Sequence, residues 1–240
     1  MPATELQPCF VLHRRDYRNS SLLLELFTPG AGRLPAIARG AKSGRAYRAA
    51  LLQPFRPLLV TLSGRGEVKT LGQVEPEGQA LQLVGRLLYC GYYLNELLMR
   101  LLQRNDPHPD LFAYYLETLR GLSNAKPLDE CLRYFEVNLL KQIGYELVLD
   151  QEIETESPVL ADNTYDYVIE QGPVRSSAKS GLIHGRTLLC LHNREAMDPE
   201  SMTEAKTMMR RILAYYLGDK PLKSRELFRG IIPAPIDNRQ

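Results

Sequence analysis

In the first 75 residues of this chain apolar residues come in short runs bounded by turn residues, and at Leu58, Val60 and Leu62 they recur at every second position. From Ala80 onward they recur at every third or fourth. A period of two belongs to a half-buried strand and a period of 3.6 to an amphipathic helix, so the chain must join a β-rich part to an α-rich part. In the first part, Phe10–His13 and Ser21–Phe27 read as strands. The turn cluster Thr28-Pro-Gly-Ala-Gly32 ends the second, and Arg33–Arg39 forms a third. Further on, Leu58, Val60 and Leu62 alternate with Leu59, Thr61 and Ser63. Gly64-Arg-Gly66 then turns the chain into Glu67–Val74, where Val68, Thr70 and Val74 are expected on one face. About five strands in so short a stretch suit a small closed barrel such as the OB-fold.

Beyond Ala80, the spacing of Leu81, Val84, Leu87, Leu88, Leu94, Leu97, Leu98, Leu101 and Leu102 predicts a long amphipathic helix. Asn105-Asp-Pro-His-Pro109 ends it and opens a second, with Leu111, Phe112, Tyr115, Leu116 and Leu119 as its apolar stripe. A third helix is expected from Pro127 to Ile143, with Gly144 as its left-handed cap. Residues 150–180 are acidic and poor in large apolar side chains. Tyr165–Ile169 before Gln171-Gly-Pro173 reads there as a small hairpin excursion. Helical spacing returns from Met202 to Leu217, and a short basic helix, Leu222–Arg229, precedes the tail. The expected fold is therefore α+β: an OB-fold barrel over residues 1–78, then a mostly α-helical domain over 79–240 with a β excursion at about 150–180.

The chain's net charge of +2 conceals a polarity. Residues 1–75 carry 11 Lys and Arg against 5 Asp and Glu, whereas residues 151–200 carry 4 against 9; residues 201–240 are basic again, 8 against 4. Such an excess attracts a polyanion to the ends of the chain and repels it from the middle. The densest basic segment, Arg39-Gly-Ala-Lys42-Ser-Gly-Arg45-Ala-Tyr47-Arg48, has four cations, two glycines, a tyrosine and no acid. Cations displace counterions from a phosphate backbone, glycine permits close approach, and an aromatic ring stacks on an unpaired base. Arg39, Lys42, Arg45 and Arg48, with Arg65 and Lys69 from the following hairpin, are the expected DNA contacts. Tyr47 either stacks on a base or folds back onto the barrel.

Signatures of catalysis are missing from the sequence. Gly40-Ala-Lys42-Ser43 lacks the spacing of a phosphate-binding loop, and His13, His108, His184 and His192 are scattered without a metalloprotease or hydrolase pattern. Glu152 and Glu154 have no cation-binding spacing. Cys9, Cys90, Cys131 and Cys190 stand far apart and are expected as small buried residues rather than zinc ligands. With neither a signal-peptide pattern at the N-terminus nor a run of about 18 apolar residues, the expectation is a reduced, cytoplasmic protein with no metal and no cofactor.

Six short motifs, in this order and spacing, resemble one family. They are Gly40-Ala-Lys42; Gln53-Pro-Phe55; Gly64-Arg-Gly-Glu-Val-Lys-Thr-Leu71; Tyr93-Leu-Asn-Glu-Leu97; Arg133-Tyr-Phe-Glu136 with Gly144-Tyr145; and Lys220-Pro-Leu-Lys-Ser-Arg-Glu-Leu-Phe-Arg229. Together they are similar to the RecO family of recombination and DNA-repair mediators, over nearly the whole chain. The resemblance implies an N-terminal OB-fold and a helical C-terminal domain. It also implies binding to single- and double-stranded DNA, annealing of complementary strands without bond-making catalysis, and a place close to the nucleoid. Work with RecR and single-stranded-DNA-binding protein, so that RecA loads, is implied as well. Some members carry a four-cysteine zinc site in the excursion; only Cys190 lies near it here, which implies a zinc-free variant.

On the same footing, Arg133, near Phe135 and Leu139, matches a position that would pair the carboxylate of the single-stranded-DNA-binding protein tail. The alternative is a salt bridge to Glu130 or Glu136. Lys220, Lys223, Arg225 and Arg229 either extend the DNA track or pin the tail of the chain to acidic helices. Two other readings share the electrostatics: an RNA-binding or ribosome-associated OB protein, and an adaptor for an acidic protein.

Overall fold

In the computed structural model, residues 5–42, 46–124, 127–176 and 183–229 are described. They fall into two compact units, residues 1–123 with 220–240 and residues 124–219.

Alternation closes the first unit's barrel. Strands β1 (Gln7–Tyr17), β2 (Ser21–Thr28), β3 (Gly32–Ala38), β4 (Leu58–Ser63) and β5 (Lys69–Pro76) form a closed sheet in the order β1-β2-β3-β5-β4. All neighbours are antiparallel except β3 and β5, whose parallel pairing of Ala36 with Lys69 and Ile37 with Thr70 shuts the barrel. This five-strand order, with helix α1 (Ala46–Leu51) between β3 and β4, is an OB-like barrel. Leu22, Leu24, Leu26, Leu34, Ala36, Leu58, Val60, Leu62 and Leu71 fill its interior. Each fully buried leucine contributes about 1.5–3 kcal/mol.

The β5 face differs from the expected one. Val68 precedes the strand and is exposed, while Leu71, not Thr70, points inward. The reason is a register shift: Val60 pairs with Val74 but Leu62 with Leu71, so one extra residue on β5 reverses the alternation. Thr61 Oγ1 accepts the freed N–H of Gln73 at 2.8 Å. At the β2–β3 turn, Gly32 has φ +62°, and a Cβ there would lie 1.7 Å from the Asp106 carbonyl oxygen, so only glycine fits.

Helix α2 (Arg86–Leu101) begins later than its apolar spacing predicts, because Gly85 at φ 55° and ψ −127° breaks the backbone. Leu81 instead donates its N–H to the Phe55 carbonyl, and Leu83 is buried from this extended approach. Helix α3 (Pro109–Ser123) starts where the proline signal places it. Phe112 and Tyr115 of α3 pack on Phe10 and Phe27 with ring centroids 5.0–6.1 Å apart. Inside this cluster Asn95 of α2 donates to the Leu12 carbonyl at 2.8 Å and accepts the Tyr115 hydroxyl, so a buried amide is satisfied.

The chain returns to this unit as α7 (Ser224–Arg229). The Glu96 carboxylate accepts the N–H groups of Lys223 and Ser224 at 2.9 and 2.8 Å, and Arg100 donates to the Lys220 carbonyl. Partial burial pushes the Glu96 carboxyl up, yet the Ser224 and Lys223 hydrogen bonds and the Arg100 charge outweigh it and hold it below its ordinary value.

In the second unit, α4 (Leu128–Gln142) ends as its glycine predicts. Gly144 at φ +87° donates to the Lys141 carbonyl, and Tyr145 to that of Leu140. The excursion contains the hairpin β6 (Thr164–Val168) and β7 (Gly172–Arg175), plus a third strand, β8 (Ile183–His184), in the order β7-β6-β8. Helix α5 (Gly185–Asn193) has no counterpart among the elements read from the sequence. Its apolar stripe is only Leu188 and Leu191, too short a run for periodicity to reveal. Helix α6 (Pro199–Leu217) is capped by Asp198, which accepts the Ser201 N–H at 2.7 Å.

Candidate nucleic-acid interface

Register arithmetic lines up one row across the outer barrel wall. Arg15 pairs with Leu23, Leu23 with Ile37, and Ile37 with Thr70, so these four side chains lie side by side on β1, β2, β3 and β5. Three inter-strand gaps make the row roughly 14 Å wide. Leu23, Ile37 and Thr70 are half-buried and Arg15 is exposed, which leaves a shallow, partly apolar wall with a cation at its edge. Tyr17 lies one step along β1 on the same face, and the Arg18 guanidinium sits 5.2 Å from its ring centre. Arg39 leaves β3 at the same end. The backbone N–H of Lys42 donates to the Ser20 carbonyl at 3.0 Å, so the β3 exit touches the β1–β2 turn.

Of the cations expected to meet DNA, Arg39 and Arg65 are exposed. Lys42 is exposed too, but its ammonium pairs with Asp16 at 2.7 Å. Lys69 begins β5 beside Ala36 and donates to the Gly64 carbonyl at 3.2 Å. Arg48 turns inward instead. Its guanidinium donates to the carbonyls of Leu71 and Gly72 at 3.0 and 2.7 Å and ties α1 to β5. Arg14 does the same from β1, donating to the Ala49 and Leu52 carbonyls at the C-terminal end of α1. Arg45 lies outside the described residues, and so does the Tyr47 side chain. Among the described residues Arg15, Arg18 and Arg39 make no salt bridge.

Arg15, Tyr17 and Arg18 are absent from the contacts expected of the sequence. Their signal is present in Arg14-Arg-Asp-Tyr-Arg18, a basic run with an aromatic at a strand end. It is weaker than that of the glycine-rich segment at 39–48, because Asp16 interrupts the run.

At the start of α7 the chain is held through its backbone rather than through its cations. Its backbone is pinned to α2 by Glu96, while the Lys223 and Arg225 side chains are exposed.

The peptide-docking residues require a correction. Phe135 and Leu139 are 1% and 0% exposed, and Arg133 is buried against Glu136, whose side chain is wholly inaccessible. They are interior to the second unit because Leu132, Phe135, Leu139 and Leu140 form the buried stripe of α4. Arg133 is therefore the internal partner of Glu136, one of the two carboxylates its spacing offered.

Three metal-capable groups come together once among the described residues, where ligand atoms of His184, Glu200 and Glu204 lie within 4.8 Å of one another. Each is engaged already. Glu204 accepts the His184 N–H and the Thr187 hydroxyl and contacts the imidazole, while Glu200 pairs with Arg186. Burial raises the Glu204 carboxyl, but these donors outweigh it and leave it below its ordinary value. Glu152 is likewise structural, accepting from the Arg175 N–H and the Thr155 hydroxyl. Cys9 and Cys90 are buried as expected, whereas Cys131 and Cys190 are only half-buried, and none of the four is in a disulfide.

No helix among the described residues is long and apolar enough to cross a membrane.

Two family models account for most of the chain: "Recombination protein O N terminal" matches residues 1–79 and "Recombination protein O C terminal" residues 83–226. Among curated proteins, a DNA repair protein RecO of Methylococcus capsulatus is 49% identical over 224 residues, covering 93% of each chain. Those of Nitrosococcus oceani and Alkalilimnicola ehrlichii are 47% and 46% identical. They cover 92% of both chains, and 96% of this chain with 93% of the relative, respectively. With both halves matched in order and relatives this similar along almost the full length, the chain belongs to the RecO family of DNA repair proteins.

Proposed function

We propose that this protein binds single- and double-stranded DNA on the outer wall and open end of its barrel and anneals complementary strands. The observation that carries this reading is the alignment of Arg15, Tyr17, Arg18 and Arg39 at one end of β1, β2 and β3. Annealing requires phosphate repulsion to be neutralised while base edges stay free to pair. Arginines on a wall without a deep cleft meet the first need and leave the second intact. Tyr17 and the half-exposed Leu23 and Ile37 offer base faces a sequence-tolerant surface.

In the cell, this activity serves recombinational repair beside the nucleoid. Together with RecR, the protein helps RecA load onto DNA coated by single-stranded-DNA-binding protein. It acts through binding and assigns no side chain to bond making. Contact with the tail of single-stranded-DNA-binding protein is made elsewhere than at Phe135 and Leu139, since a peptide cannot reach a closed core.

Competition binding with single-stranded DNA, duplex and RNA over a range of salt tests the proposal. Comparable binding to both DNA forms, weakening steeply with salt, supports it. Much tighter RNA binding, or no polyanion binding, overturns it in favour of an RNA-binding OB protein or an adaptor.

A further inference from the structure

The second unit carries an aromatic surface that the DNA reading leaves unused. Tyr145 and Tyr215 are 45% and 56% exposed, and both rest on Tyr216, with ring centroids 4.3 and 5.2 Å away. The Tyr145 ring lies 30° from the plane of Tyr216, and Tyr215 meets it edge-on at 83°, so the three form one packed platform. Large apolar side chains grouped in this way mark an interaction surface more often than scattered ones do.

Charge identifies the partner. Tyr215 and Tyr216 stand in the last turn of α6, a helix of 19 residues with no basic residue in that turn, where the helix dipole favours a cation. Asp219 follows the cap, and the exposed Glu170 lies close enough to act on Tyr216. The Tyr216 hydroxyl is pushed above the ordinary phenol value by burial first, then by Glu170 and the neighbouring phenols. Of the cations in this region, Lys141 pairs with Glu146, and Arg211 with Asp166 and the Tyr167 carbonyl, while Lys220 and Arg210 are exposed. Residues 124–219 as a whole carry 10 Lys and Arg against 16 Asp and Glu. A polyanion is repelled from such a surface.

We infer that the Tyr145–Tyr215–Tyr216 platform docks an arginine-bearing segment of a partner protein. A guanidinium stacks flat on an exposed tyrosine ring while Glu170 and the C-terminal end of α6 favour its charge. Lysine, a compact ammonium without a planar face, satisfies only the charge.

The test uses the full chain and a fluorescein-labelled peptide alternating arginine with serine, read by anisotropy. A lysine–serine counterpart and oligothymidylate serve as the other probes. The arginine peptide should bind more tightly than the lysine one. Tyr145→Ala with Tyr215→Ala, and separately Glu170→Lys, should each weaken it about three- to tenfold. Asp162→Lys, an equal charge change at another exposed position of the same unit, should alter it less than about twofold. Tyr215→Phe, which keeps the ring, should retain the affinity, so a folding defect in the double variant does not decide the matter. Equal affinity for both peptides, or equal losses from Asp162→Lys and Glu170→Lys, would overturn the inference, leaving bulk charge alone. Loss of oligothymidylate binding with unchanged peptide binding in the tyrosine variants would overturn it in favour of a nucleic-acid platform.

Discussion

Lys42 Nζ stands 2.7 Å from a carboxylate oxygen of Asp16, so an acid at the basic end of the barrel neutralises the lysine at the centre of the glycine-rich segment. Arg39, three residues earlier, is exposed and makes no salt bridge among the described residues. The two cations should therefore contribute unequally. Arg39→Ala should weaken DNA binding more than Lys42→Ala, and Asp16→Asn should strengthen it several-fold by releasing the lysine. Titrations of one labelled oligonucleotide with the three variants at fixed salt check the order.

Arg48 carries a different expectation. Its guanidinium serves the carbonyls of Leu71 and Gly72, so Arg48→Ala should cost about 1 kcal/mol of stability while changing the salt dependence of DNA binding little. Urea unfolding beside a salt titration distinguishes a staple from a phosphate contact.

Arg133 and Glu136 form a buried pair, with side chains 7% and 0% exposed. Arg133→Ala removes the cation of this buried ion pair, at a cost of up to about 3–5 kcal/mol. Replacing both residues by apolar ones of similar size should restore most of the loss. Denaturant midpoints of the single and double variants measure it. A stability change should accompany any loss of partner binding on mutating Arg133.

The attachment of α7 should be acid-labile. The Glu96 carboxyl is held below its ordinary value of 4.5 in the folded state, so its cap on Lys223 and Ser224 contributes stability above that pH. The contribution disappears as pH falls through the lowered folded value. Protection of the Lys223 and Ser224 amides, measured as exchange relative to the intrinsic rate at each pH, should fall over that interval, and Glu96→Ala should show the lower protection already at neutral pH.

Strand and helix periods made the barrel and the long helices legible in the sequence, since Leu58, Val60 and Leu62 alternate and Leu94, Leu97 and Leu98 recur at helical steps. What escaped had local causes. A single extra residue in β5 exchanged Thr70 for Leu71 in the core, and alternation alone carries no mark of a bulge. Gly85 stopped α2 from extending back to Ala80, although Leu81 and Val84 fitted the helical pattern. The site was half legible. The exposed cation Arg39 was visible in composition, but that Arg48 and Arg14 turn inward to hold α1 depends on carbonyls brought near by tertiary folding. Arg15 and Tyr17 join the face only through the β1–β2–β3 register, which is set by the two hairpin turns at Tyr17–Ser21 and Thr28–Gly32.

A salt titration of DNA binding for Arg15→Ala, Arg18→Ala and Arg39→Ala, each on several unrelated sequences, bears on the barrel-end interface without further assumption. Each variant should lower the slope of log K against log salt by about one, and by the same amount whatever the sequence. Slopes identical to that of the parent protein, or losses confined to particular sequences, would contradict a phosphate-gripping face at this end of the barrel.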